Sequence, residues 1–243
     1  MSNGFFITGT DTDIGKTVAA AAILSILRTA GRDAVPMKPI QTGCGKRGDE
    51  LVPEDLEFIL KATGLTPPPE DIKRMCPVRL ESACSPHLAA QRANETISFG
   101  QILTALHELV ATHELVIGEG AGGLLVPLVA GLTMLDLMAE IGLPVILVAR
   151  PGLGTLNHTL LSLRELERSR LAVRGTVLVE TQPTTWGYIE EDNRKTIEEL
   201  SGVPVLGHIP FIPDLADASD PKPFFTPDRL SDMPSAEKLL SPE

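Results

Sequence analysis

Short runs of branched and aromatic apolar residues alternate along the chain with longer stretches whose apolar positions recur at helical spacing. Phe5-Phe6-Ile7 reads as a buried strand, and residues 18–30, rich in Ala, Ile and Leu and closed by Gly31, as a mostly buried helix. Residues 33–39 form a second strand, which Pro36 confines to an edge or to an irregular start. A glycine-rich loop over 40–48 leads to a helix over 53–62, with Pro53 near its first turn and Gly64 past its end. Pro67-Pro68-Pro69 reads as a rigid spacer. Helices follow from Ser85-Pro86-His87 and over 98–112, then a strand over 115–118, a helix over 133–141 and a strand over 144–149. A helix from about Leu153, a strand over 176–179, a polar surface helix over 189–200 and a last strand over 203–209 complete the series.

Such alternation predicts an α/β fold: one mostly parallel sheet with helices on both faces, binding its ligands beyond the carboxyl ends of the strands. Residues 1–213 make the expected domain, and 214–243 a proline-rich tail that packs on it or extends from it. No internal repeat interrupts the series.

Composition sharpens this. At 243 residues the chain has room for one full core, and 43% hydrophobic but only 4% aromatic residues suit helices on a parallel sheet. A formal net charge of −11 argues against a nucleic-acid binder, so an anionic ligand must be held by local cations, a metal and backbone donors. Cys44, Cys76 and Cys84 are odd in number and lack metal-ligand spacing, as expected of reduced thiols. With no leader pattern and no apolar stretch of membrane-spanning length, the expectation is a soluble cytoplasmic protein without a membrane partner.

Between the first strand and first helix lies Gly9-Thr10-Asp11-Thr12-Asp13-Ile14-Gly15-Lys16-Thr17-Val18. Strand, glycine-bounded loop and helix in that order turn backbone N–H groups and the positive helix end toward one point, a receptor for polyphosphate. Lys16 would reach the outer phosphates, and the Thr17 hydroxyl a magnesium ion. Five residues rather than four separate Gly9 from Gly15, a departure from the common spacing. Lys38, just before Pro39, leaves its strand toward the ligand edge as a second cation. Thr42 is either a hydroxyl donor or a turn residue, and Asp55 either a ligand or a helix-dipole partner. Glu119 precedes Gly120-Ala121-Gly122-Gly123, a run that lets a ligand approach the backbone. The segment 151–157 offers N–H groups at a helix start, suited to a carboxylate or simply to an ordinary connection. His87 and His158 read as structural, Trp186 and Tyr188 as a packed loop.

The extended phosphate loop, Lys38-Pro39-Ile40-Gln41-Thr42-Gly43, Ser85-Pro86-His87, Glu119-Gly120-Ala121-Gly122-Gly123 and the Gly154 to Asn157-His158 segment resemble, in order, those of dethiobiotin synthetases. The resemblance covers roughly residues 4–213. It implies a single-domain P-loop NTPase-like fold acting as a homodimer on ATP, magnesium, CO2 and 7,8-diaminononanoate. It further implies charge stabilisation by Lys16 and Lys38, and magnesium near Thr17, Asp55 and Glu119. The nucleotide would be contacted by Asp13, Ile14, Gly15, Lys16, Thr17, Val18, Asp55, Glu119, Gly120, Ala121, Gly122, Pro210 and Phe211. Substrate would be contacted by Thr42, where relatives often carry Ser, and its carboxylate received near Gly154 and Asn157, from the partner subunit.

Two departures carry consequences. Asp13 stands where relatives often have Glu. Val179-Glu180-Thr181 replaces the Asn by which the family recognises adenine, which predicts a loose choice of triphosphate, with Pro210-Phe211 or Asp214 taking on more of the base contact. Among rivals, a cobyrinic acid diamide synthase needs a glutaminase domain for which the chain has no room. A partitioning-type switch ATPase places a lysine early in the loop, where Asp11 stands.

Overall fold

The computed structural model describes residues 3–215 and 218–241. In chain order, β1 (Gly4–Gly9) runs into the phosphate loop and α1 (Lys16–Thr29), followed by β2 (Ala34–Met37) and the short β3 (Ile40–Gln41). A hairpin of β4 (Gly45–Arg47) and β5 (Glu50–Val52) precedes α2 (Glu54–Thr63), α3 (Pro69–Met75) and β6 (Val78–Arg79). Next come α4 (Pro86–Ala93), α5 (Phe99–Thr112), β7 (Leu115–Gly123), a hairpin of β8 (Pro127–Val129) and β9 (Leu132–Thr133), and α6 (Met134–Ile141). The chain continues through β10 (Val145–Ala149), α7 (Thr155–Arg168), β11 (Val173–Val179), α8 (Tyr188–Ser201) and β12 (Val205–Ile209), to a 3-10 turn (Lys222–Phe224) and α9 (Ala236–Leu240).

Six strands form one sheet in the order β12-β11-β10-β1-β7-β2, parallel throughout. Successive side chains of its strands serve opposite faces. Phe6, Val145, Leu147 and Ala149 join one core with α5, α6 and α7, whereas Phe5, Ile7, Ile146 and Val148 join another with α1. Every residue of β1, β2, β10 and β12 is buried, as parallel strands covered on both faces must be. Pro36, which lacks a ladder donor, lies on β2 at the edge of the sheet.

Several local expectations need correction. The loop at 40–48 contains β3 and β4, short pairings that a glycine-rich sequence hides. Only Pro67 and Pro68 act as a spacer, because Pro69 opens α3, where its fixed φ and missing donor cost nothing. Strand β7 runs on to Gly123, so Glu119 sits within it, opposite Ile7 of β1, rather than after it. Helix α8 is amphipathic rather than a plain surface helix, burying Glu190, Asn193 and Ile197. After residue 218 the chain lays Phe225, Leu230, Met233, Ala236 and Leu239 into the core that α1 shares. Phe225 meets Phe58 of α2 edge to face, with centroids 6.0 Å apart.

Candidate active site

Between β1 and α1 the backbone makes two left-handed turns, at Asp13 (φ 54°) and Gly15 (φ 90°). Gly15 caps α1 without a side-chain bond, so the first N–H groups of the helix remain available to a ligand. Glycine is required there on two counts, since a Cβ would also lie 2.5 Å from Val179 Cγ1. The Lys16 ammonium spans the loop and donates to the Asp11 carbonyl at 2.7 Å. Burial lowers its pKa below the ordinary lysine value, against the pull of Glu119.

Behind the loop, side chains from α1, β7, α2 and the segment just after β2 meet in a chain of contacts. The Thr17 hydroxyl donates to Glu119 Oε1 at 2.9 Å. Lys38 Nζ lies 2.6 Å from that same oxygen and 2.6 Å from Asp55 Oδ2. Lys38 and Glu119 are 3% and 1% exposed, so the charges act in a poorly solvated place. Burial by itself would favour loss of the Lys38 proton, but Glu119 and Asp55 outweigh it and raise its pKa. Glu119 Oε2 is buried without a hydrogen-bond partner, and an orphaned carboxylate oxygen of this kind is costly unless something else meets it.

The local sequence explains the placement. Parallel pairing of β1 with β7 sets Glu119 beside the root of the phosphate loop. Past β2 the Lys38 amide donates to Met75 O at 2.6 Å, which fixes the exit of that strand ahead of Pro39. Asp55 rides on the first turn of α2, whose start is capped by Gln41: its amide oxygen, turned to the helix, accepts from the Asp55 and Glu54 N–H groups at 2.9 and 3.1 Å.

These groups face a cavity of about 1100 Å³. Of the residues singled out from sequence, Asp13, Gly15, Lys16, Thr17, Val18, Lys38, Thr42, Asp55 and Glu119 line it, as do Ala121, Gly122, Pro210 and Phe211. Ile14 does not line it, because its side chain is wholly buried in the core beneath the loop. Gly120 is also off the cavity, its α-carbon turned to Phe6 and Met134. Gly154 and Asn157 do not reach this cavity within one chain: Gly154 is the left-handed cap of α7, and both are exposed. Asn193 anchors the segment before them, donating to Pro151 O at 2.8 Å. His87 and His158 are exposed. Trp186 packs on His208, but Tyr188 is 85% exposed and so no part of a packed loop.

The cavity also takes in Glu54, Phe58, Cys84, Val126, Glu180 and Asp214. Phe58 was detectable in principle, lying three residues after Asp55 and hence on the same helical face. Cys84 directly precedes the Ser85-Pro86 start of α4, while Val126 had no local signal.

A family model described as an AAA domain matches residues 3–219. The ATP-dependent dethiobiotin synthetase BioD of Halalkalibacterium halodurans is 39% identical over 212 residues, 87% of this chain and 86% of the relative. The protein of the same name from Anaeromyxobacter dehalogenans strain 2CP-1 is 43% identical over 218 residues, 88% of this chain and 92% of the relative. Among solved structures, a ParA family ATPase from Chlorobium tepidum aligns with TM-score 0.59 at 11% identity, covering 99% of this chain and 100% of that one. The septum site-determining protein MinD of Pyrococcus horikoshii, complexed with Mg-ADP, aligns with TM-score 0.55 at 16% identity, over 98% of this chain and 89% of that one. At such identities those two show a shared fold alone. With relatives matched over nearly their whole length and a family model spanning the sheet and its loop, the chain belongs to the dethiobiotin synthetase family.

Proposed function

We propose that this cavity closes the ureido ring of dethiobiotin from 7,8-diaminononanoate and CO2 at the expense of ATP. The observation that carries the reading is the line Thr17–Glu119–Lys38–Asp55 set behind a phosphate loop, in one cavity. Phosphoryl transfer asks a protein chiefly for positioning and charge stabilisation, and this line supplies both.

The N7 amine takes up CO2 as a carbamate, losing a proton. A carbamate oxygen attacks the γ-phosphorus and ADP departs, leaving a carbamic–phosphoric anhydride. N8 then attacks the carbonyl carbon, the ring closes and phosphate leaves. Lys16, folded along the loop, neutralises the outer phosphates, and Lys38 the charge shared by carbamate and γ-phosphate. Free N–H groups of the loop and of α1 hold the phosphates without side-chain rearrangement. The base lies toward Pro210-Phe211, and Thr42 contacts the diamine.

The donor set fits magnesium. Thr17, Asp55 and Glu119 provide a hydroxyl and two carboxylates, and Glu119 Oε2 has no partner of its own. Among the described residues no cluster of three or more His, Cys, Asp or Glu could hold a metal, so an ion bound here would have to take its remaining ligands from phosphate and water. Such an ion, when bound, offsets the charge of the β- and γ-phosphates. We further read the start of α7, where Leu153, Gly154 and Asn157 are exposed, as the receptor for the substrate carboxylate of a neighbouring copy, making a homodimer the working unit. An active monomer in solution would refute the shared site. Of the tail expected at 214–243, residues 216–217 and 242–243 lie outside the described residues, and 218–241 we read as a strap on the single domain.

The test is direct: ATP, magnesium, bicarbonate and 7,8-diaminononanoate are mixed with the protein and the cyclic urea is sought by mass. ATP hydrolysis unaccompanied by the urea would overturn the reading.

A further inference from the structure

One buried carboxylate in the cavity wall has no part in the scheme above. Glu180 directly follows Val179 at the end of β11 and is 8% exposed. Its backbone N–H donates to Ile209 O at 3.0 Å, its Oε2 accepts from the Phe211 N–H at 3.0 Å, and its Oε1 pairs with His208 Nε2 at 3.1 Å. Trp186 covers the far side of His208, with ring centroids 4.1 Å apart, and its own indole N–H donates to Glu191 of α8 at 3.3 Å. A single side chain therefore ties the exit of β11 to the exit of β12, at the point where the two neighbouring strands diverge and Pro210-Phe211-Ile212 begins to form the cavity wall.

An apolar side chain would close that gap at less cost, since burying a carboxylate is expensive unless both oxygens find donors. Here both do, and one donor is the backbone amide of a wall residue. We propose that Glu180, oriented by His208, is a positioning residue for the nucleotide: it fixes the Pro210–Ile212 wall in the geometry that receives the base. The inference rests on the reading of the cavity as the nucleotide site. Preorganisation of this sort acts on binding, because an untethered wall must be ordered each time a nucleotide docks. It leaves the phosphoryl end, held by the loop and by Lys38, untouched.

The experiment is steady-state kinetics of urea formation with ATP and diaminononanoate varied in turn, together with thermal melts, on Glu180→Ala, Glu180→Gln and His208→Phe. In Glu180→Ala the KM for ATP rises about tenfold, while kcat and the KM for the diamine stay within about twofold; tenfold corresponds to roughly 1.4 kcal/mol. Glu180→Gln keeps an oxygen for the Phe211 N–H and restores the KM for ATP to within about threefold. His208→Phe keeps a ring against Trp186 but not the imidazole nitrogen that faces Glu180, and lies between. Trp186 is the only tryptophan of the chain and touches His208, so its emission reports on the Glu180–His208 tie: ATP changes it in the wild type, and half-saturation moves with the KM in each variant. An unchanged KM for ATP in Glu180→Ala, or a lowered melting temperature with both KM values raised alike, would overturn the proposal. Should Glu180→Ala not fold, the Gln and Phe variants decide by the same ordering. Wild-type protein that binds ATP by fluorescence but makes no urea would refute the synthetase reading alone, and the dissociation constants of the variants would still judge the wall.

Discussion

Replacing Lys38 with alanine removes the cation that touches both carboxylates of the central line, and its consequences for chemistry and for stability are separable. In the intact protein Lys38 Nζ is 2.6 Å from Glu119 Oε1 and 2.6 Å from Asp55 Oδ2. Breaking a buried ion pair from one side costs about 3–5 kcal/mol when the remaining charge has nowhere to go. Here the cost should fall at or below the low end of that range, because Asp55 is 41% exposed and keeps part of its hydration, and Glu119 retains the Thr17 hydroxyl. A drop of about 2–3 kcal/mol in the urea unfolding free energy is expected, which leaves the domain folded. Chemistry should suffer more. A fixed charge facing a transition state in a dry site is worth on the order of 10²–10³ in kcat. The assay is phosphate release with and without diamine, beside calorimetric titration of ATP. We expect kcat to fall at least 10²-fold while the ATP dissociation constant moves about threefold or less, since the loop amides and Lys16 remain. A variant within about threefold of the wild-type kcat would remove Lys38 from the mechanism, and one that loses ATP binding altogether would make it a nucleotide ligand instead.

Three further outcomes follow from the site and its surroundings. Val179 is 2% exposed, packs on Gly15 and offers no amide to a base, so GTP or CTP should support turnover within about tenfold of ATP, or roughly 1.4 kcal/mol; strict ATP dependence would contradict this. Burial pushes the Cys76 thiol up to about 12, and Cys44 is likewise raised by burial, whereas Cys84 opens on the cavity. Iodoacetamide at pH 8 should therefore label Cys84 alone, more slowly with ATP and magnesium present, and peptide mapping that found Cys76 labelled in folded protein would refute it. Burial also lowers the pKa of His208, more than Glu180 and Asp232 raise it, with Arg194 adding to the lowering. Below about pH 6.5 the unfolded chain therefore takes up a proton at this position that the folded chain refuses, and stability falls as the pH drops through that value and below. Relative to His208→Gln, the wild type should lose stability on acidification at no more than about 1.4 kcal/mol per pH unit, and a relative gain would contradict the burial argument.

What the sequence made legible, and what it did not, divides along a physical line. The alternation of strands and helices, the edge position of β2 and the phosphate loop depend on local signals: apolar runs long enough for a strand, a proline lacking a donor at Pro36, and glycines at turns that need positive φ, whereas the strand order is set by long-range pairing that no local pattern carries. Lys38 and Glu119 could be placed near one another because parallel strands leave their carboxyl ends on one edge, a rule that needs no coordinates. The Gln41 cap on α2 and the Glu180 tie between β11 and β12 escaped because each joins groups through a side chain whose rotamer no local pattern sets. Asp55 shows how the two kinds of information combine. On its own it was as well explained by the helix dipole as by a ligand, and its first-turn position is real. The 2.6 Å contact with Lys38 adds something neither reading supplies, an ion pair that turns the carboxylate toward a lysine that is 3% exposed. Helix α2 therefore does more than cover the sheet: it carries a charge into the site, and both Gln41 at its start and Phe225 against its Phe58 hold it where that charge is useful.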